Sequence, residues 1–214
     1  MKVVNILILS AICAFTFHVS KAMADSYDEL LTAINQDDIP TAEALFAKGM
    51  DVNTTDRGGN TLLMISIRDG HLDMAKILLQ RKAEVGARNQ YGETALMLAA
   101  VKGELELVKL LVAHGAKINI RGWNPLIYAA WRGRTEVVKF LLDKGAKVDA
   151  VSASGISALM MAARGGHIET VKLLLSAKAD PNLKSDSGVT ALRWALKGGN
   201  TDIGDLLKRA GAKE

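Results

Sequence analysis

The chain is poor in the residues that staple or punctuate a small protein. It has one cysteine and three prolines in 214 residues. One cysteine cannot pair within the chain, so a disulfide scaffold is excluded, and so is a cysteine-based zinc site. Aromatic residues make up only 5%. The formal net charge of +4 is too small to mark a nucleic-acid binder. Charged residues stand at 23%, an ordinary share that argues against global disorder. The length sets one domain, two at most, with room for a substantial core.

Long apolar runs are also scarce, apart from one at the start. After Lys2, residues Val3 to Phe17 are almost continuously apolar, and Ala22-Met23-Ala24 supplies the small residues of an A-x-A cleavage site. This is the pattern of a secretory signal peptide over residues 1–24, cut after Ala24. The run falls short of the roughly 20 residues that span a bilayer. Cys13 lies in mid-run without the usual preceding leucine of a lipid-anchoring site. Cleavage would remove Lys2, Lys21 and Cys13, lowering the net charge from +4 to +2. A cysteine-free exported chain suits an oxidising periplasm. The expected location is therefore the periplasm, with no membrane segment in the mature form.

What is abundant is self-similarity. Gly70, Gly103, Gly133, Gly166 and Gly199 follow one another at steps of 33, 30, 33 and 33. Leu63, Leu96, Leu126, Leu159 and Leu192 keep the same steps. Each unit reads as two short helices. In the third, Thr94 to Ala100 forms the first, Gly103 breaks it, and Glu104 to Val112 forms the second with apolar residues at helical spacing. His114-Gly115-Ala116 then ends that helix, glycine supplying a positive φ. Thr61, Thr94 and Thr190 stand where N-caps belong.

The stretch Ser157-Ala158-Leu159-Met160-Met161-Ala162-Ala163-Arg164-Gly165-Gly166-His167-Ile168-Glu169-Thr170-Val171-Lys172-Leu173-Leu174-Leu175 resembles the ankyrin repeat family, as does Gly145-Ala146-Lys147-Val148-Asp149. The resemblance covers residues 26–214 and implies an all-α solenoid of helix-turn-helix units with β-turn fingers. Six repeats are expected, at about 25–55, 56–88, 89–121, 122–151, 152–184 and 185–214. The fourth is three residues short between Gly115 and Leu126, which predicts a clipped finger. Both ends read as caps. Ser26-Tyr27-Asp28-Glu29 resembles a capping box, and Asp37-Asp38 precedes Pro40 at a helix start. Lys208 and Gly204 interrupt the last apolar stripe, as the polar end of a repeat stack requires.

No catalytic constellation accompanies the repeats, so no enzyme activity, cofactor or metal is expected. His71 and His167 share one repeat position, which in ankyrin repeats serves neighbouring loops. His114 sits at a helix C-terminus, favourable to the dipole. Asp73, Glu106, Glu136, Glu169 and Asp202 recur at second-helix starts, a dipole-favoured place. Gly165-Gly166 and Gly198-Gly199 are repeat turns without a phosphate-loop motif.

The residues that break the repeat are more informative. Ankyrin surfaces bind through finger tips and the inner face of the first helix. Arg57, Tyr91 and Trp123 fall at tips. Ile65, Leu98, Tyr128, Met161 and Trp194 share a position on the first helix. Arg68, Lys102, Trp131, Arg132, Arg164 and Lys197 precede the turn glycines. All three tryptophans belong to this set, and exposed Trp, Tyr and Arg are the usual composition of binding hot spots. Two alternatives remain open here. Tyr128, Trp194, Trp131 and Trp123 can pack between repeats, and the cations, Arg121, Arg134 and Arg193 among them, can form a solvated rim. The candidate partner-binding residues are Arg57, Arg68, Tyr91, Lys102, Trp123, Tyr128, Trp131, Arg132, Arg164, Trp194 and Lys197. A basic face implies an acidic or cleft-bearing protein surface as partner, with the chain a monomer when alone.

The resemblance extends to small periplasmic ankyrin proteins of Gram-negative bacteria, including an immunity type that protects a predatory bacterium from its own cell-wall endopeptidases. It implies an exported binder and inhibitor of a periplasmic enzyme, such as a peptidoglycan DD-endopeptidase or carboxypeptidase. A stabilising accessory of another periplasmic enzyme, such as a catalase, and a binder of an acidic polymer are the alternatives.

Overall fold

A computed structural model describes residues 24–213. Except for Ala24, the expected leader lies outside the described residues. Twelve helices and no strands occur among the described residues, in six antiparallel pairs. The first pair is α1 (residues 24–35) and α2 (Ile39–Ala47). The second is α3 (Leu62–Asp69) and α4 (Leu72–Gln80). Then follow α5 (Ala95–Lys102) with α6 (Leu105–Ala113), and α7 (Pro125–Trp131) with α8 (Thr135–Asp143). The last are α9 (Ala158–Arg164) with α10 (Ile168–Ser176), and α11 (Ala191–Lys197) with α12 (Thr201–Arg209). The fold is an all-α repeat solenoid. Two compact units divide the chain, one ending at Ala83 and one beginning at Glu84.

Local chemistry explains why helices of seven to nine residues survive, too short to be stable alone. Thr61, Thr94, Asn124, Ser157 and Thr190 each accept the N–H of the residue three further on, at 3.1–3.4 Å. Gly70 and Gly103 close α3 and α5 in the left-handed region, with φ of 87° and 85°. Gly115 and Gly145 do so after α6 and α8, whereas Lys82 and Lys178 adopt that conformation after α4 and α10. Asp37 does the same between α1 and α2, and Asp38 caps α2 by accepting Thr41 N–H at 3.1 Å. Thr41's hydrogen bonds, side-chain and backbone, hold the Asp38 carboxyl below its ordinary range.

Packing supplies the rest. In the second unit, α5 lies on α7, α7 on α9 and α9 on α11, forming a layer of first helices. The second helices form the other layer, each against its own first helix. Leu63, Leu96, Leu126, Leu159 and Leu192, the residues that revealed the period, are all buried. Complete side-chain burial is worth roughly 1.5–3 kcal/mol for each.

Three expectations change. Ser26 does not cap α1, because residues 24 and 25 are already helical and the chain enters the helix ahead of it. Ile65 and Met161 are buried, unlike their repeat equivalents Leu98, Tyr128 and Trp194. The last pair is not wholly polar either. Leu196 leans over the bare Cα of Gly204, where a Cβ would stand 2.9 Å from its Cδ2, yet Leu196 remains 43% exposed.

The clipped finger is visible as a missing turn. The full fingers Asp56–Asn60, Asn89–Glu93, Ser152–Ile156 and Ser185–Val189 each close with two backbone hydrogen bonds. The first residue donates to the carbonyl of the fifth, and the fourth, a glycine, donates back to the first. Between Lys117 and Trp123 no N–H donates to a backbone carbonyl. The segment is instead pinned by Asn119, which donates to Gly145 O at 2.8 Å and accepts Lys147 N–H at 2.9 Å.

Candidate partner-binding surface

The residue after four of the five turn glycines ties one helix pair to the pair before it. His71 Nδ1 lies 3.0 Å from Ile34 O, and His167 Nε2 lies 3.0 Å from Trp131 O. Arg134 Nε donates to Val101 O at 3.1 Å, and Asn200 Nδ2 to Ala163 O at 3.1 Å. Each reaches back to the last turn of a preceding first helix. Arg134, expected on the basic face, is therefore a strap. Asn200 was missed, although its position after Gly199 marks it. His114 is local, with Nδ1 2.9 Å from Leu110 O at the end of α6.

In the first unit, Arg57 is exposed in the Asp56–Asn60 finger. Arg68, in the last turn of α3, is not a free cation. Its Nε and Nη2 donate to the Asp69 carboxylate at 2.9 and 3.1 Å. Asp56 adds an attractive charge, and these carboxylates raise the Arg68 pKa further despite partial burial. At Asp56 burial pulls upward, but hydrogen bonds from Asn60 and Gly58 and the charge of Arg68 carry the carboxyl below its usual value.

The second unit gathers the aromatics into three groups. Tyr91 stands 75% exposed at its finger tip. Trp123, 36% exposed, meets the half-buried Tyr128 edge to face, with ring centroids 5.5 Å apart. The Tyr128 hydroxyl donates to Glu93 Oε1 at 2.9 Å. Burial, then the Glu93 hydrogen bond and charge, push the phenol well above the ordinary tyrosine value. The bond itself was not legible in the sequence, because Glu93 is 35 residues away.

Trp131 is 41% exposed at the end of α7, with the Arg132 guanidinium 4.9 Å from its ring centre. Arg164 lies 5.4 Å above the Trp194 ring. Arg164, Trp194, Lys197 and Gly198 line an open recess. Lys102 occupies the last turn of α5. Trp131, Arg164 and Lys197 are repeat equivalents, and with Arg132 and Trp194 they make a row of two aromatic and three cationic side chains.

Charge compensation separates this row from the second helices. Lys76, Lys109, Lys139 and Lys172 are each paired to an acid of their own helix, at 2.8–2.9 Å. Asp73, Glu106 and Glu169 are among these partners and sit in the first turns. Arg132, Arg164 and Lys197 form no ion pair among the described residues. Arg132 and Arg164 rest on tryptophan faces, which leave the positive charge available.

Models of ankyrin repeats match most of the chain. One, for repeats in many copies, matches residues 30–79, and another, for three copies, matches 81–152 and 146–213. The chain belongs to the ankyrin repeat family. A comparison with curated proteins found no match. Ankyrin repeats imply a protein–protein interaction module, and ankyrin proteins in general recognise partners without catalysing a reaction. In this ankyrin chain no described helix is long and apolar enough to cross a membrane.

Proposed function

We propose that the chain is an exported ankyrin module that binds a periplasmic enzyme and inhibits it by covering its functional surface. The observation that carries this reading is the mixed aromatic and cationic row Trp131–Arg132 and Arg164–Trp194–Lys197, without acidic partners among the described residues. A rigid repeat surface loses little ordering entropy on binding, which favours occlusion of a cleft. Aromatic and arginine side chains supply hot spots, and uncompensated cations select an acidic rim. The signal-peptide pattern at residues 1–24 supports the periplasm as the compartment. The resemblance to immunity-type ankyrin proteins supports a peptidoglycan DD-endopeptidase or carboxypeptidase as the enzyme class.

The test begins with the chain expressed with its own leader in a Gram-negative host. Recovery from the periplasm starting at Asp25 is expected. A purified DD-endopeptidase is then assayed on peptidoglycan with increasing amounts of the chain. Stoichiometric inhibition is the expected result. Enhanced activity of a bound enzyme would move the role to an accessory. Steeply salt-dependent binding to peptidoglycan itself would make the chain a polymer binder.

A further inference from the structure

The clipped finger leaves a gap that the neighbouring residues are equipped to fill from outside. The two successive full fingers of the second unit, Ser152–Ile156 and Ser185–Val189, bond directly. Asp186 N–H, second in its finger, donates to Ser154 O, third in the preceding finger, at 3.1 Å. The third residue of the Asn89–Glu93 finger is Tyr91. Its carbonyl accepts no hydrogen bond, because the shortened segment after it has no turn residue to donate one.

A groove with a cavity volume of about 400 Å³ opens beside this finger. That size lies within the roughly 300–1,000 Å³ of formed ligand clefts. Val85 and Ile120 give it apolar lining, and its charge is three cations, Arg88, Lys117 and Arg121, against one acid, Glu84. Arg88 Nη1 is held by Gly92 O at 3.0 Å, which fixes its guanidinium across the finger. Among the described residues none of these three cations takes part in an ion pair. Trp123 flanks the gap with an exposed ring.

We infer that this gap is a docking groove for an extended acidic segment of a protein partner, which takes the place of the missing turn. The segment's backbone N–H donates to Tyr91 O, as Asp186 does to Ser154. Its carboxylates meet Arg88, Lys117 and Arg121, while alternate side chains lie on Val85 and Ile120. Strand-like addition of this kind draws affinity from main-chain bonds and specificity from alternate side chains. The inference rests on the chain being a partner-binding module. It is separate from the Trp131 row, so each can fail without the other.

The probe is a fluorescein-labelled peptide of about eight residues alternating Glu and Val, a length typical of one strand. Fluorescence anisotropy with the full chain at low salt reads its binding. The expected result is saturable binding, weakened at least about tenfold by combined Arg88→Glu and Arg121→Glu through like-charge repulsion. A second variant inserts three residues that restore a complete turn of the Ser152–Ile156 kind, and it too is expected to exclude the peptide. Circular dichroism confirms the fold of each. Combined Trp131→Ala and Arg132→Ala should leave peptide affinity unchanged. Absence of binding to the natural chain overturns the inference. So do equal binding of a Lys/Val peptide, indifference to both groove variants, or loss on changing the Trp131 row. Tighter binding of polyphosphate, which has no amide donors, also overturns it.

Discussion

Substituting Gly133 by alanine tests the strap that carries Trp131. The His167 ring lies against Gly133, with φ of 62° there. A Cβ at Gly133 would stand 2.5 Å from Nδ1 and 2.6 Å from Cγ of that ring. Two costs follow. Alanine in the left-handed region loses about 1–2 kcal/mol. The displaced imidazole gives up its 3.0 Å bond to Trp131 O, worth about 1 kcal/mol net. The sum of about 2–3 kcal/mol corresponds to a fall in Tm of roughly 4–12 °C for a chain of this length. Gly115→Ala is the control, with φ of 87° and nothing within 4 Å of its Cβ, so it bears only the backbone cost. In a His167→Ala background the bond is already gone, and Gly133→Ala should cost about 1 kcal/mol less than in the natural chain. Thermal unfolding followed by circular dichroism measures the natural chain and the four variants. The reasoning is refuted if Gly133→Ala is no worse than Gly115→Ala, or if the double variant is strictly additive.

Combined Trp131→Ala and Arg132→Ala should leave thermal unfolding nearly unchanged, because the His167 bond is to the backbone, yet weaken partner binding by more than about 2 kcal/mol; calorimetric titration with the purified partner decides it. Ser157→Ala removes the cap that accepts Met160 N–H at 3.3 Å and should lower stability by about 1 kcal/mol in urea unfolding, with Ser157→Asn restoring most of it. Lys109→Ala breaks an exposed pair with Glu106 and should change stability by less than about 0.5 kcal/mol and binding not at all. Tyr128 has a raised pKa, so the stability it contributes is complete below the ordinary tyrosine value of about 10 and is lost as pH rises above it. Absorbance titration at alkaline pH should show one tyrosine ionising after the others, and Glu93→Gln should bring that transition down.

The parts of this molecule that were legible in the sequence are those set by short-range chemistry. Leu63 to Leu192 kept a period because each fills the same buried position, and Thr61, Thr94 and Thr190 were readable as caps because the bond they make spans three residues. The three-residue deficit before Leu126 announced the missing turn for the same reason. What escaped depends on residues far apart in the chain. Arg134 and Asn200 look like surface polar groups until the preceding helix brings Val101 O and Ala163 O to them. Ile65 and Tyr128 occupy one register position, but their exposure follows the bulk of the side chains around them, which no period encodes. Ser26 had the residues of a cap, and the helix already formed ahead of it overrode that local preference.

One electrostatic rule produces both the quiet and the available charges. Second helices carry an acid in the first turn, favoured by the dipole, at Asp73, Glu106, Glu136, Glu169 and Asp202. At Asp73, Glu106 and Glu169 that acid lies three residues before a lysine, and the pair neutralises itself. The first helices α9 and α11 have no acid in the first turn and place Arg164 and Lys197 in the last, where the dipole favours a cation. Within Arg164's own helix no carboxylate is in reach, so its charge rests on the Trp194 face instead. Added salt therefore acts unequally. It removes little from the fold, whose surface pairs are worth little at any ionic strength. It screens the row of cations over a Debye length of about 8 Å at physiological strength, and so should weaken binding of the acidic partner proposed above while the repeats stay folded.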